Sequence, residues 1–155
     1  MTENTRVRSR STTSGTPVQA AAALVGVAFL LVGVLGFIPG ITTDSGSLET
    51  AGHESHAELL GVFQVSVLHN VVHLLLGVAG IALARRPSSA RAFLVGGGAI
   101  YLLLFLYGLI VEKDSQANFV PLNTADDWLH LVLGVGMIAL GIVLAKRPGT
   151  TGVGR

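Results

Sequence analysis

The chain contains no cysteine, which excludes disulfides, thiolate metal sites and cysteine nucleophiles. Charge is also scarce. Only 12% of the 155 residues are Asp, Glu, Lys or Arg, where a soluble domain usually carries about a quarter. The 10 basic and 9 acidic residues leave a net charge of +1, so no cationic surplus exists to attract nucleic acid. Alternating polar and apolar positions, the mark of a membrane β-barrel, are missing. Gly96-Gly97-Gly98 follows no strand and lies within an apolar run, so it is not a phosphate loop. No H-E-x-x-H zinc motif and no Ser-His-Asp set is present. The expectation is a protein that is not an enzyme.

What is abundant is hydrocarbon. Half the residues are hydrophobic, and mean hydropathy is +0.66. A soluble chain of this composition would expose large apolar patches and aggregate. Four stretches suit a hydrocarbon layer of ~30 Å, which takes about 20 helical residues to cross. They cover residues 18–38, 59–84, 92–111 and 128–145. Lipid offers no partner to backbone N–H and C=O groups, so each stretch is expected to be a helix. The fold class expected is all-α: an integral membrane bundle of four antiparallel transmembrane helices occupying residues 18–147. Residues 1–17, rich in Ser, Thr and Arg, and residues 148–155 read as disordered cytoplasmic tails. The first apolar run is too long for a cleaved leader and reads as a retained helix.

Charge orients the bundle. Arg6, Arg8, Arg10, Arg85, Arg86, Arg91, Lys146, Arg147 and Arg155 fall on one side, and Lys113 alone falls on the other. The positive-inside rule places the majority, and both termini, in the cytoplasm. With an Arg-, Ala- and Gly-rich composition, this points to a bacterial cytoplasmic membrane. Ser55–Glu58 and Thr124–Asp127 read as capping boxes that start the second and fourth helices. Pro87 and Pro148 read as helix stops. Trp128 reads as an interface anchor, and Asp126 and Asp127 as acidic residues favoured at a helix start.

The second and fourth stretches resemble each other. Asn70-Val71-Val72-His73-Leu74-Leu75-Leu76-Gly77 is echoed by Asp127-Trp128-Leu129-His130-Leu131-Val132-Leu133-Gly134. This suggests two repeated helical hairpins. On one face of the second helix lie Ser66, His69, Asn70, His73, Gly77, Gly80 and Ala84, and on one face of the fourth Asp127, His130, Gly134, Met137, Gly141 and Ala145. Small residues let helices approach closely in lipid. They suit packing inside the bundle and also an interface with a protein partner or a second copy.

The candidate site consists of His69, His73 and His130. Polar side chains within a membrane are costly and usually face the interior. His69 and His73 are one turn apart and point the same way. At 1.5 Å per residue, His69 and His130 lie roughly 22 Å above the cytoplasmic helix ends and His73 roughly 16 Å. Depth therefore pairs His130 with His69, whereas the repeat pairs it with His73. Three readings follow. The leading one is hydrogen bonding between helices, with Ser66, Asn70, Tyr101, Tyr107 and Trp128 as available partners. Imidazoles also bind haem or a divalent metal, with Asn70 or Asp127 behind the ligands. The third reading is proton handling in a small carrier, although few polar residues line the helices. His53-Glu54-Ser55-His56-Ala57-Glu58 could hold a cation weakly but reads first as a solvated loop and helix cap.

The Asn-x-x-His-Leu-x-x-Gly pattern at Asn70–Gly77, its echo at Asp127–Gly134 and the acidic outer loops resemble the bacterial membrane family called domain of unknown function 4383. The resemblance spans about residues 17–148 and implies a four-helix membrane protein. It implies no activity. The positions of the motif are Asn70, His73, Gly77, His130 and Gly134, and Asp127 stands where the first copy has Asn70.

Overall fold

Thr16 opens the first helix, its backbone N–H donating to the Gln19 side chain at 2.9 Å. A computed structural model describes residues 15–146 of the chain. The two expected tails therefore fall almost wholly outside the described residues, as do Arg6, Arg8, Arg10, Arg147, Pro148 and Arg155. Helix α1, Pro17–Leu35, begins on a proline, whose missing N–H costs nothing at that position.

Helix α2 is Val67–Leu83, eight residues later in starting than the apolar run at 59 suggests. Its cap is Ser66, whose hydroxyl accepts from the His69 N–H at 3.1 Å. Ser55–Glu58 is not a helix start. The Ser55 hydroxyl is buried and donates to the Val65 carbonyl at 2.6 Å, while accepting from the Glu49 N–H. Residues 58–64 instead form a hairpin. Strand β1, Thr42–Thr43, pairs antiparallel with β2, Glu58–Leu59, which pairs antiparallel with β3, Phe63–Gln64. The turn passes through Leu60 and Gly61, both at positive φ. A short apolar run cannot be assigned to strand or helix by periodicity alone, and here Gly61 breaks it. Ala57, Leu59 and Val65 then pack on Val32 and Leu35, so the small sheet caps the end of α1.

Helix α3, Pro87–Ile110, begins only three residues after the Ala84 that ends α2. Pro87 is therefore the first residue of α3 rather than simply a stop for α2. Helix α4, Thr124–Val143, ends in a single 3-10 turn over Leu144–Lys146. Its capping box is Asn123–Asp126, one residue earlier than Thr124–Asp127. Asn123 Oδ1 accepts from the Asp126 N–H, and Asp126 Oδ2 accepts from the Asn123 N–H, both at 3.0 Å.

The four α-helices among the described residues pack as two close pairs. A methyl group at Gly26 would lie 2.9 Å from the Gly77 carbonyl oxygen of α2, and one at Gly98 would lie 2.7 Å from that of Gly134 of α4. Backbone touches backbone in both pairs, α1 on α2 and α3 on α4. The glycine faces named for a partner are thus largely used within the chain. The pairs meet chiefly along α1 and α3, where Phe29 stacks on Tyr101 with ring centres 5.5 Å apart. Helices α2 and α3 touch where Phe93 covers Gly80 and where the Tyr101 hydroxyl reaches His73. Gln19 of α1 reaches the Ala84 carbonyl at 2.9 Å. The start of α1, the α2–α3 turn and the end of α4 therefore share one end of the molecule, where Thr16, Pro87 and Leu144 line one depression. The Gly52 N–H donates to the Phe119 carbonyl at 2.9 Å, joining the two long loops at the other end.

Outward, the helices present leucine, isoleucine and valine, with Leu24, Leu75, Leu103, Leu109, Ile110 and Val132 all exposed. Helices α1, α3 and α4 are long and apolar enough to cross a membrane, and α2 is a shorter apolar helix of 17 residues.

The close pairs predict a sharp contrast between two neighbouring glycines. Gly98→Val should cost roughly 1–3 kcal/mol by forcing α3 and α4 apart. Gly96, beside which a methyl group meets nothing within 4 Å, should accept valine within about 0.5 kcal/mol. Thermal unfolding in detergent measures both.

Candidate functional site

The Ser66 cap starts α2 in the register that turns His69, Asn70 and His73 inward, and all three are buried. The two imidazoles stack nearly parallel, with ring centres 4.5 Å apart. His73 Nδ1–H donates to the His69 carbonyl at 3.0 Å. A carbonyl can only accept, so the proton sits on Nδ1 and Nε2 of the neutral ring is an acceptor. The Tyr101 hydroxyl of α3 donates to that Nε2 at 3.2 Å. Both nitrogens of His73 are therefore in use, and a metal at Nε2 would have to displace Tyr101. His130 of α4 packs edge-on against the other side of Tyr101, ring centres 5.1 Å apart. Phe29 packs edge-on to His73 at 5.6 Å.

The echo between α2 and α4 continues in α1 and α3. Gly26, Phe29 and Gly36 of the first pair take the places of Gly98, Tyr101 and Gly108 of the second. Asn70, His73 and Gly77 match Asp127, His130 and Gly134. In each pair a ring from the first helix meets the histidine of the second in a T-shaped, edge-on contact. Phe29 and Tyr101 then stack on each other across the seam.

The copies differ where the sequence has Asn70 and Asp127. Asn70 lies beside Gly36, with no room for a methyl group there, and its amide has no hydrogen-bond partner among the described residues. Asp127, beside Gly108 in the same tight manner, accepts from Lys113 Nζ at 2.7 Å. The pair is 32% exposed at the lysine and 5% at the aspartate. Lys113 also donates to the Gly108 carbonyl at 2.7 Å, a group that the helix end leaves free. Asp127 is thus more than a favourable charge at a helix start: it holds the single cation that breaks the charge asymmetry. That exception was the signal available in the sequence.

Asp126 has a long-range role that no local pattern announces. Its Oδ2 accepts from the Gln64 N–H of β3 at 3.1 Å, and Asn123 Nδ2 donates to the Val62 carbonyl at 2.7 Å. The start of α4 is thereby stitched to the hairpin before α2.

His69, His73, Tyr101 and His130 together line a cavity of about 390 Å³ between α2 and α3. The remaining wall is apolar: Leu68, Val72 and Leu76 of α2, Ile100 and Leu104 of α3, and Phe119 and Val120 of the loop. The three histidines share this cavity. Among the described residues, no three His, Asp or Glu side chains converge on a point where an ion could sit. Nδ1 of His69 and of His130 is buried without a partner among the described residues. Of the other partners anticipated for the histidines, Ser66 is the α2 cap. Tyr107 donates to the Ala117 carbonyl in the loop. Trp128 is 58% exposed and touches Phe105. His56 and Glu54 are exposed, Glu54 in a turn.

A helical chain with three apolar helices of membrane-crossing length, built as an inward-facing polar repeat, is the class these features define. Residues 19–143 match the family described as Domain of unknown function (DUF4383), and the chain belongs to that family. No curated protein and no solved structure matches it.

The ion pair predicts a rescue. Lys113→Met should lower stability by roughly 1–3 kcal/mol, between the values for exposed and buried pairs, because Asp127 is left charged and alone. Adding Asp127→Asn, which copies Asn70, should restore much of the loss. Chemical denaturation in detergent reads both steps.

Proposed function

We propose that this protein is a non-enzymatic component of the bacterial cytoplasmic membrane, crossing it four times with both termini inside. The observation that carries this reading is the division of the chain into leucine-rich outer faces and one polar seam. A bilayer selects for that division, because polar groups there need internal partners. The positions of the helix ends support an up-down-up-down course. Helix α2 is about 26 Å long at 1.5 Å per residue, a little short of the hydrocarbon core. The loop before it closes that end, the Glu49 and Thr50 carbonyls accepting from the Val67 and Leu68 N–H groups.

In this reading the histidines join the helix pairs. His73 bridges to Tyr101, and His130 packs against the same ring. An interface with another protein, or with a second copy, would use the exposed leucine and valine faces, since most of the glycines are covered. Haem or metal binding is disfavoured by the engagement of both His73 nitrogens.

Two measurements test the reading. The chain lacks cysteine, so single cysteines report topology without background. Cysteine at Ser47 should react with a membrane-impermeant maleimide in intact cells, and cysteine at Ser88 only after permeabilisation. The reverse pattern, or equal labelling, would reject the proposed course. Protein purified gently from cells supplied with iron and copper should show no Soret band and no stoichiometric metal, and Tyr101→Phe should cost about 1 kcal/mol of stability. A haem spectrum lost in His69→Ala/His73→Ala would replace structural bonding with cofactor binding.

A further inference from the structure

The second apolar run is longer than the helix it contains. Helix α2 has 17 residues, about 26 Å at 1.5 Å per residue, against a hydrocarbon core of ~30 Å. Arg85 and Arg86 come directly after its Ala84 cap and are exposed, which holds that end at the charged headgroups. The shortfall therefore falls at the other end, where the hairpin of β2 and β3 leads into the Ser66 cap.

The backbone there is closed in a way that water does not require. At the hairpin tip the N–H groups of Leu60, Gly61 and Val62 donate to the carbonyls of Ile41, Glu58 and Leu59. Those of Gln64 and Val65 donate to the Asp126 carboxylate and the Ala57 carbonyl. In the first turn of α2, His69 donates to the Ser66 hydroxyl, and Val67 and Leu68 donate to loop carbonyls. The adjoining turn after α1 is treated alike. Phe37, Ile38, Ile41 and Thr42 donate to the carbonyls of Val34, Leu35 and Ile38, and Pro39 has no N–H to satisfy. Near lipid, such groups need partners inside the protein.

The side chains of both turns face outward and are apolar. Leu60 is 65% exposed, Val62 46%, Phe37 40% and Ile38 38%. They follow directly on the exposed Leu31 and Val34 of α1, so the patch continues the outward face of the helices. Leu60 also has φ 58°, a left-handed conformation that suits glycine or asparagine and strains leucine. An outward leucine offsets that strain only by leaving water.

We propose that Phe37, Ile38, Leu60 and Val62 insert into lipid at the boundary between headgroups and acyl chains, so that the two turns anchor this end of the molecule at the membrane surface. The occupant of the patch is lipid hydrocarbon. The inference deepens the membrane reading above and rests on it.

Single cysteines carrying a nitroxide test it in the full chain, reconstituted in phosphatidylcholine bilayers. Collision with oxygen reports lipid, and collision with a soluble nickel chelate reports water. Leu75→Cys, on the outward face of α2, is the lipid reference, and Ala51→Cys, exposed in the loop before the hairpin, is the water reference. Leu60→Cys should behave like Leu75→Cys, with oxygen favoured over nickel. A response like that of Ala51→Cys would overturn the anchor and leave the membrane reading standing, because Leu75→Cys reports on that reading separately. Water at Leu75→Cys would sink both. A label at position 60 shielded from both reagents would put a protein partner or a second copy on the patch, and the anchor would fall. Leu60→Asn supplies a second readout. Asparagine accepts the left-handed backbone, so at a turn in water it should leave the unfolding temperature unchanged or raise it. With the turn in lipid, the bilayer-embedded variant should instead unfold roughly 2–4 °C lower, and an unchanged or raised temperature would reject the proposal.

Discussion

Tyr101 stands where the two helix pairs meet, and most of the interior is arranged around it. Its ring takes Phe29 on one face and the edge of His130 on another side, and its hydroxyl reaches His73. Within each pair, cohesion comes from glycines that let backbones touch, an interaction that needs no water to drive it. Between the pairs, few such close contacts exist. The aromatic stack and a single phenol–imidazole bond supply what small residues do not. Where that contact ends, α2 and α3 diverge, and the cavity is the space left over.

The helices were legible because hydrocarbon leaves little freedom: an apolar run of membrane length has one economical conformation. Three of the four runs match helices closely. The second misled at its start because residues 59–65 are apolar for a different reason. Leu59, Phe63 and Val65 pack towards the end of α1 as part of a short hairpin, and only Gly61 marks the change. The caps at Ser66 and Asn123 follow ordinary capping chemistry, and other serines, threonines and acids nearby competed for the same pattern.

At the site, helical spacing was enough to bring His69 and His73 together and to turn His130 inward on α4. Depth paired His130 with His69 and the repeat paired it with His73, and the structure reconciles the two. Tyr101 lies between His73 and His130 while all three histidines reach the same cavity. What spacing could not supply was the identity of each bond. Whether His73 has a free lone pair depends on Tyr101, 28 residues away on another helix. The tie from Asp126 to Gln64 spans 62 residues. Neither leaves a trace in local composition.

Two helix pairs built from one pattern carry a hazard of mistaken identity, since α3 could lie against α2 almost as well as against α4. The divergence of Asn70 from Asp127 removes that ambiguity. Lys113, just past the end of α3, pairs with Asp127 on α4, whereas the corresponding position of α2 is the neutral amide of Asn70. One charged couple thus serves as an address label. It tells a newly made helix which of two near-identical neighbours is its own.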